Sequence, residues 1–185
     1  MSVTQIKDGN IVSLDASKLT GNLPAISGAS LTGVVGKIVQ VVSVQDGLVD
    51  TGTTLSPADD TIPQNTEGNE FFTLAITPTS ATNKLRIDVT IQMAHSAAGT
   101  FISAALFQDS IANALASSGT TEAAANYDRN FAFSHYMTSG TVSAITFKVR
   151  GGGHQAGTTT FNGSGATQKH GGVYASTIII TEIAV

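Results

Sequence analysis

The chain has 185 residues, of which 41% are hydrophobic and 12% charged, with a formal net charge of −4 and no cysteine. The absence of cysteine excludes disulfides and thiolate metal sites. The nine basic residues are scattered from Lys7 to Lys169 without forming a cluster, which argues against nucleic acid as a partner.

The N-terminus shows neither the basic region nor the apolar run of a secretory signal. No stretch of the chain reaches the ~20 apolar residues that a membrane-spanning helix needs. We therefore expect a protein that is made without a signal peptide and does not insert into a membrane.

Residues 1–36 have the pattern of an extended N-terminal stalk or attachment segment. Lys-Leu-Thr-Gly at 18–21 is echoed by Ser-Leu-Thr-Gly at 30–33, and each unit carries only one or two large apolar residues. That is too few for a core within one chain, so several identical copies would have to bury them along a shared axis. The residues expected on this axis are Leu14, Leu19, Leu23, Ile26 and Leu31. The alternative is a disordered, weakly apolar leader.

Strand patterns begin after the stalk. Residues 84–93 alternate between polar and apolar side chains, which predicts a half-buried strand. Residues 72–76 alternate in the same way, and the turn signals at 78–83 predict a hairpin between the two strands. Gly119 and the following Thr120-Thr121 pair argue against a helix in the alanine-rich stretch 112–125. Further strands are predicted at 37–44, 100–108, 112–117, 131–137, 143–149 and 176–185.

The last predicted strand is apolar on both faces over its first half, so we expect it to lie centrally in a sheet. Seven or eight short strands without a long helical period indicate an all-β, antiparallel, jelly-roll-like β-sandwich head over residues 37–185.

A head with so few charges is expected to bury further apolar surface in a homotrimer. The candidates for that interface are aromatic, and the alternative is that they pack in the core of one subunit. They are Phe71, Phe101, Phe131, Phe133 and Phe147.

Metal-ligating patterns are weak. The four histidines, at 95, 135, 154 and 170, form no His-x-His or His-x-x-x-His pair, so no metal site is expected. Asp59 and Asp60 with the nearby glutamates could bind calcium, but the favoured interpretation is that they cap or bend a loop before Pro63.

Catalytic patterns are weaker still. Ser134 and His135 are adjacent, and in a strand adjacent side chains point to opposite faces, so they cannot easily hydrogen-bond each other. The chain has no Gly-x-Ser-x-Gly elbow. We expect no catalytic residues, no cofactor and no enzyme activity.

Residues 126–130 combine an aromatic ring with amide, carboxylate and guanidinium groups, which are the groups that stack on a sugar ring and bind its hydroxyls. The alternative is a polar turn with a packed tyrosine. The glycine-rich segment 150–172 is predicted to be a long mobile loop, which either takes part in recognition or is an inert connection. The candidate receptor-binding residues are Asn126, Tyr127, Asp128, Arg129, His154, Phe161, Asn162, His170 and Tyr174.

Residues 17–33, which contain the two Leu-Thr-Gly units around Leu-Pro-Ala-Ile-Ser-Gly, resemble the repeat of tail-fibre and related appendage proteins of bacteriophages. Residues 59–68, 71–78 and 83–85 resemble a block in the C-terminal head domains of such fibres, as do 105–109 and Glu182-Ile183. The resemblance implies a homotrimeric virion appendage, held on the tail or capsid by an attachment protein at its N-terminus. It implies no reaction.

We therefore expect a virion structural protein, made in the host cytoplasm, whose trimeric fibre ends in a head that recognises a host-surface receptor. The receptor would be a glycan or a surface protein. The alternative is a purely structural fibre cap or capsid-decorating protein without receptor binding.

Overall fold

The computed structural model describes residues 37–185, so the predicted stalk, with Leu14, Leu19, Leu23, Ile26 and Leu31, lies outside the described residues. The described part contains a single 3-10 turn, at His170–Gly172, and twelve strands. The strands are β1 (Ile38–Asp46), β2 (Asp50–Gly52), β3 (Asn69–Ile76), β4 (Lys84–His95), β5 (Phe101–Gln108), β6 (Ala116–Thr121), β7 (Arg129–Thr138), β8 (Ile145–Gly153), β9 (Thr159–Phe161), β10 (Gly163–Ser164), β11 (Thr167–Gln168) and β12 (Ser176–Ile183).

The eight long strands divide between two antiparallel sheets. Sheet I has the order β1-β12-β4-β7, with the short β2 and β9 beside the end of β4, and sheet II has the order β3-β8-β5-β6. Among the long strands the chain crosses between the sheets at every connection except that of β5 and β6, which is the winding of a jelly roll. The predicted all-β, jelly-roll-like sandwich is confirmed. β12 lies between β1 and β4, so the predicted central position of the last strand is confirmed too.

Antiparallel pairing gives the sandwich two ends. The connections 96–100, 122–128 and 154–175 lie at one end, here called the top, and 77–83, 109–115 and 139–144 lie at the other, the base. The described chain begins at the base, where the Ala184 N–H donates to the Lys37 carbonyl at 2.9 Å.

The core lies between the sheets and follows from the alternation seen in β4. Leu85, Ile87 and Ile91 are fully buried, while the polar residues between them face outward. Phe131 and Phe147 belong to this core, and Phe71 and Phe133 pack against it. Phe101 is half-buried, and its ring packs over Gly119 so closely that a Cβ there would clash with it. The monomer-core alternative thus accounts for four of these five aromatic residues, and Phe101 packs within the subunit as well.

The predicted hairpin between residues 72–76 and 84–93 is wrong, because β3 belongs to sheet II and β4 to sheet I. Residues 77–83 instead cross from one sheet to the other. The crossing is held by the buried carboxylate of Glu182, which accepts hydrogen bonds from the Thr79 N–H at 2.8 Å and the Asn83 amide at 2.6 Å. The predicted strand at 112–117 is also displaced, since β6 begins only at Ala116.

The segment 150–172 is not one long loop. Its first residues, Gly151–Gly153, are the buried end of β8, and β9, β10 and β11 follow within it. The glycines allow a close approach of the connection 53–68, because a Cβ on Gly152 would lie 2.7 Å from the Thr54 carbonyl oxygen. That connection covers part of the outer face of sheet II, with the Ser56 N–H donating to the Gly153 carbonyl at 2.9 Å.

Asp59 bends the same connection before Pro63. Its Oδ1 accepts hydrogen bonds from the Thr61 N–H at 2.9 Å and the Thr61 hydroxyl at 2.5 Å. This is the Asx-type turn that the favoured interpretation of Asp59 describes.

Candidate functional site

Six of the nine candidate residues lie in or beside two connections at the top of the sandwich, β6–β7 and β11–β12. Asn126, Tyr127 and Asp128 lie in the β6–β7 connection and Arg129 begins β7, while His170 and Tyr174 lie in the connection between β11 and β12. The His170 and Tyr174 rings are 6.0 Å apart at 61°. Burial raises the pKa of Tyr174, and the negative charge of Asp128 in the β6–β7 connection raises it further.

Asn126 fixes the start of this surface. Its φ is +57°, a left-handed conformation that asparagine tolerates better than most residues. Its N–H donates to the His95 carbonyl at 2.7 Å, and its carbonyl accepts from the Ser164 hydroxyl at 2.6 Å. The β6–β7 connection is therefore tied to both β4 and the β10–β11 hairpin.

Tyr127 is the exposed aromatic group of the surface, with 52% of its area accessible. The guanidinium carbon of Arg129 lies 4.5 Å from the centre of its ring, a cation–π contact. Arg129 also donates from Nη2 to the Thr121 carbonyl at 3.1 Å. The ring and the positive charge are thus held together at the surface, where they can contact a ligand.

Glu122 supports Tyr127 from below and was not identified from the sequence. Its side chain is fully buried. One carboxylate oxygen accepts from the His95 N–H at 3.1 Å and the other from the Tyr127 N–H at 3.3 Å. Burial raises the pKa of Glu122, and the two N–H donors oppose that rise. Nothing in the surrounding Gly-Thr-Thr-Glu-Ala-Ala-Ala sequence signals a buried acid.

His95 lies beside this support and packs inside the protein. It is almost fully buried, and its Nδ1 accepts a hydrogen bond from the Ala97 N–H at 3.1 Å. Burial lowers the pKa of its imidazole, which favours the neutral form.

Two candidate residues are corrected by the structure. Phe161 is buried in the core, stacked on Phe71 at 4.8 Å between ring centroids, and meets Phe72 edge-on at 5.0 Å. Asn162 is fully buried, and its amide donates to the carbonyls of Asp46 and Leu48 at 2.8 and 3.0 Å. Neither side chain is available to a ligand at the surface, because both hold the fold together.

His154 is exposed but contacts a different part of the molecule. Its Nδ1 accepts a 2.9 Å hydrogen bond from the Ala58 N–H, in the connection that covers sheet II. A cleft of about 470 Å³ lies further along this connection, between residues 59–63 and 114–117. No sequence pattern indicates this cleft, because its two walls are about fifty positions apart.

Within residues 37–185 no group of three or more His, Asp or Glu side chains is placed to hold a metal ion. Ser134 pairs with Asp88 and His135 with Ile87 in the ladder of β4 and β7, so the two side chains point to opposite faces. In the same described range, no helix is long and apolar enough to cross a membrane.

Comparison with family models and with curated proteins found no match. Among solved structures, the chain is similar to the VP2 subviral particle of infectious bursal disease virus, with 12% identity and a TM-score of 0.41 over 88% of this chain and 37% of that one. It is also similar to dimeric latent PorU from Porphyromonas gingivalis, with 12% identity and a TM-score of 0.39 over 82% of this chain and 14% of that one.

A third similar structure is the enzymatically active domain of tailspike protein 4 from bacteriophage CBA120. It has 16% identity and a TM-score of 0.27 over 70% of this chain and 20% of that one. The chain therefore spans little more than a third of the VP2 chain and less of the other two. Likenesses at this level establish neither a shared family nor a shared activity.

Proposed function

We propose that this chain is a virion structural protein, a homotrimeric bacteriophage appendage whose head binds a host-surface receptor through the β6–β7 connection. The observation that carries the proposal is the exposed Tyr127 ring, which contacts the Arg129 guanidinium and whose backbone N–H donates to the buried Glu122 carboxylate. An exposed aromatic ring on a backbone fixed by a buried carboxylate is well suited to recognition, because little entropy is lost when it binds.

The virion role is supported by the resemblance of residues 17–33 and 59–68 to bacteriophage fibres and by the jelly-roll head. Several residues of the resembling blocks make hydrogen bonds that hold the connections of this head in place. Asp59 bends a connection, Asn83 binds Glu182, and the Asp109 carboxylate accepts from the Thr146 N–H at 2.8 Å. The resemblance therefore supports a shared kind of head, and we assign receptor recognition to residues outside these blocks.

The trimer and the attachment of the N-terminus to the virion belong to the same proposal. The described chain enters the head at the base, so Tyr127 lies at the end of the head away from residue 37. Light scattering of the purified full chain tests the trimer. We expect three times the 18.9 kDa chain mass, unchanged on dilution. A monomer that is stable on dilution would contradict it.

The chemistry of the surface suits a glycan better than a charged polymer. The Tyr127 ring offers a face for the C–H groups of a sugar, and Asp128 and Asn126 offer acceptors and donors for hydroxyls within three residues of chain. Arg129 contributes the one positive charge of this group and already contacts the ring.

Binding of the fluorescently labelled full chain to a panel of bacterial strains tests receptor recognition. On a strain that binds, Tyr127→Ala should weaken binding more than about tenfold, as the loss of a central aromatic contact does. The matched control is Val142→Ala, which removes an exposed apolar side chain at the base and should change nothing.

Two pretreatments of the cells separate the receptor classes. Periodate destroys glycans and should abolish binding, whereas protease should abolish it only if the receptor is a protein. Equal binding by wild type and Tyr127→Ala would refute the proposed surface. Absence of binding to any strain, with normal incorporation into particles, would favour the structural cap.

A further inference from the structure

The outer face of sheet I carries a second surface that the proposed function does not use. Along β4 and β7 the outward side chains form register pairs: Arg86 with Tyr136, Asp88 with Ser134, and Thr90 with Ala132. The residues between them, such as Ile87 and Val89, are buried in the core. This face is therefore built by a regular alternation that fixes which side chains stand together.

A depression forms where the paired side chains are short. It has a volume of about 270 Å³ and is lined by the outward Asp88, Thr90, Ala132 and Ser134, with the strands themselves at Val89 and Phe133. We call it the outer depression. Its shape follows from the sequence, because Thr90, Ala132 and Ser134 are small while Arg86 and Tyr136 at the next pair are large.

Tyr136 stands at one end of the outer depression with 58% of its area exposed. The guanidinium carbon of Arg86 lies 5.7 Å from the centre of its ring. Arg86 is also paired with Asp88, with 2.8 Å between Nε and Oδ2. An aromatic ring, a donor, an acceptor and a cup of small side chains thus occupy one side of the sheet.

This combination selects the chemistry of the ligand. Tyrosine rings bind the apolar face of a sugar ring. The hydroxyl groups of a sugar can accept a hydrogen bond from Arg86, donate one to Asp88 and do either with the Ser134 hydroxyl. The volume lies below the ~300 Å³ at which pockets begin to hold drug-sized ligands, so it fits a single ring. Because Asp88 already balances the charge of Arg86, a charged ligand finds no unpaired countercharge here.

We propose that the outer depression is a binding site for one pyranose ring of a neutral glycan, stacked on Tyr136 and hydrogen-bonded by Asp88 and Arg86. The site is separate from the surface around Tyr127, and it holds whether or not that surface binds a receptor.

Ligand-observed saturation-transfer NMR on the full chain tests the site in any oligomeric state. The probes are four neutral methyl pyranosides, those of glucose, galactose, mannose and N-acetylglucosamine, with the methyl glycoside of glucuronic acid as the charged comparison. At least one neutral probe should receive saturation, with an affinity in the millimolar range, about what a single exposed sugar subsite provides. The charged probe should receive no more than its neutral counterpart.

Three substitutions at surface-facing positions locate the binding. Tyr136→Ala removes the stacking ring, Ala132→Leu fills the outer depression, and Asp88→Asn removes the charged acceptor. The first two should lower the signal at least about fivefold, and the third should lower it to a smaller extent. Ile111→Ala is the control, since it removes an exposed apolar side chain from the β5–β6 connection of sheet II and should leave the signal unchanged. Tyr127→Ala separately reports any signal that comes from the top of the sandwich.

Circular dichroism of each variant shows whether it is folded. If Tyr136→Ala or Ala132→Leu fails to fold, the other of these two variants locates the site. The proposal is overturned if none of the four neutral probes receives saturation from the wild-type chain. It is also overturned if Ala132→Leu and Tyr136→Ala keep the full signal. Loss of the signal in Tyr127→Ala alone would move the sugar site to the top of the sandwich.

Discussion

The side-chain amide of Asn83 donates a 2.6 Å hydrogen bond to the buried carboxylate of Glu182. The same carboxylate accepts from the Thr79 N–H at 2.8 Å and from the Gln40 amide at 2.6 Å. Burial acts to raise the pKa of Glu182, but the hydrogen bonds from Asn83, Gln40 and Thr79 outweigh it and lower the pKa to about 2. One side chain of β12 thereby fixes β1 and the 77–83 crossing between the sheets.

Replacing this carboxylate should destabilise the head. Glu182→Gln removes the charge and sets an amide donor against groups that are themselves donors, so we expect a loss of about 3 kcal/mol in the free energy of unfolding. Urea denaturation at pH 7 measures it. Glu70→Gln is the control, because the ion pairs of Glu70 with Lys148 and Arg150, at 3.5 and 3.4 Å, are partly exposed and contribute less than about 1 kcal/mol. Equal losses in the two variants would contradict the role of Glu182.

Acid should remove the contribution of Glu182. Its pKa is lower in the folded than in the unfolded state, so the unfolded chain takes up the proton first and stability falls as the pH drops. The contribution is complete above the ordinary glutamate pKa of 4.5 and is lost progressively toward a pH of about 2. Unfolding curves between these pH values should show that the free energy of unfolding of the wild type falls toward that of Glu182→Gln as the pH is lowered. A difference that stays constant over this range would refute the assignment.

The fold was largely predictable from the sequence because alternation reports burial directly. β4 alternates from Lys84 onward, and the structure places its apolar residues in the core and its polar ones outside. Alternation does not report which sheet a strand joins, so β3 and β4 were expected to form a hairpin. The pairings that place them in different sheets, of β3 with β8 and of β4 with β7 and β12, join residues far apart in the chain.

The candidate site was predictable only in part. Residues 126–129 were identified because they carry suitable side chains in a turn, and they do lie at the surface. Phe161 and Asn162 carry equally suitable side chains, but they sit in β9 and just after it, inside the sandwich. Glycine-rich sequence suggested a mobile loop there, whereas the glycines permit close packing of backbone segments.

Phe161 is a core residue and Tyr127 a surface residue, so their replacement by alanine should change the free energy of unfolding by different amounts. Phe161→Ala empties a core position stacked on Phe71, so we expect a loss of about 3–5 kcal/mol in the free energy of unfolding. Tyr127→Ala removes an exposed ring and should cost less than about 1 kcal/mol. Denaturant unfolding of both variants provides the comparison. A small effect of Phe161→Ala would mean that its ring is not part of the core.

Glu122 should show a pH dependence opposite to that of Glu182. Its pKa is raised, chiefly by burial, so ionising it costs more in the folded than in the unfolded chain. Stability from this group is therefore complete below the ordinary pKa of 4.5 and falls as the pH rises through the raised value. Glu122→Gln carries no such charge, so its stability relative to wild type should improve as the pH is raised.

Unfolding of wild type and Glu122→Gln across the acid-to-neutral range measures this difference, and Asp128→Asn is the control for the loss of an exposed acid in the same connection. If Glu122→Gln instead loses stability relative to wild type as the pH is raised, then the N–H groups of His95 and Tyr127 stabilise the charged form more than burial destabilises it. In that case the hydrogen bond from the Tyr127 N–H to Glu122 would be strongest at neutral pH, where the carboxylate is ionised.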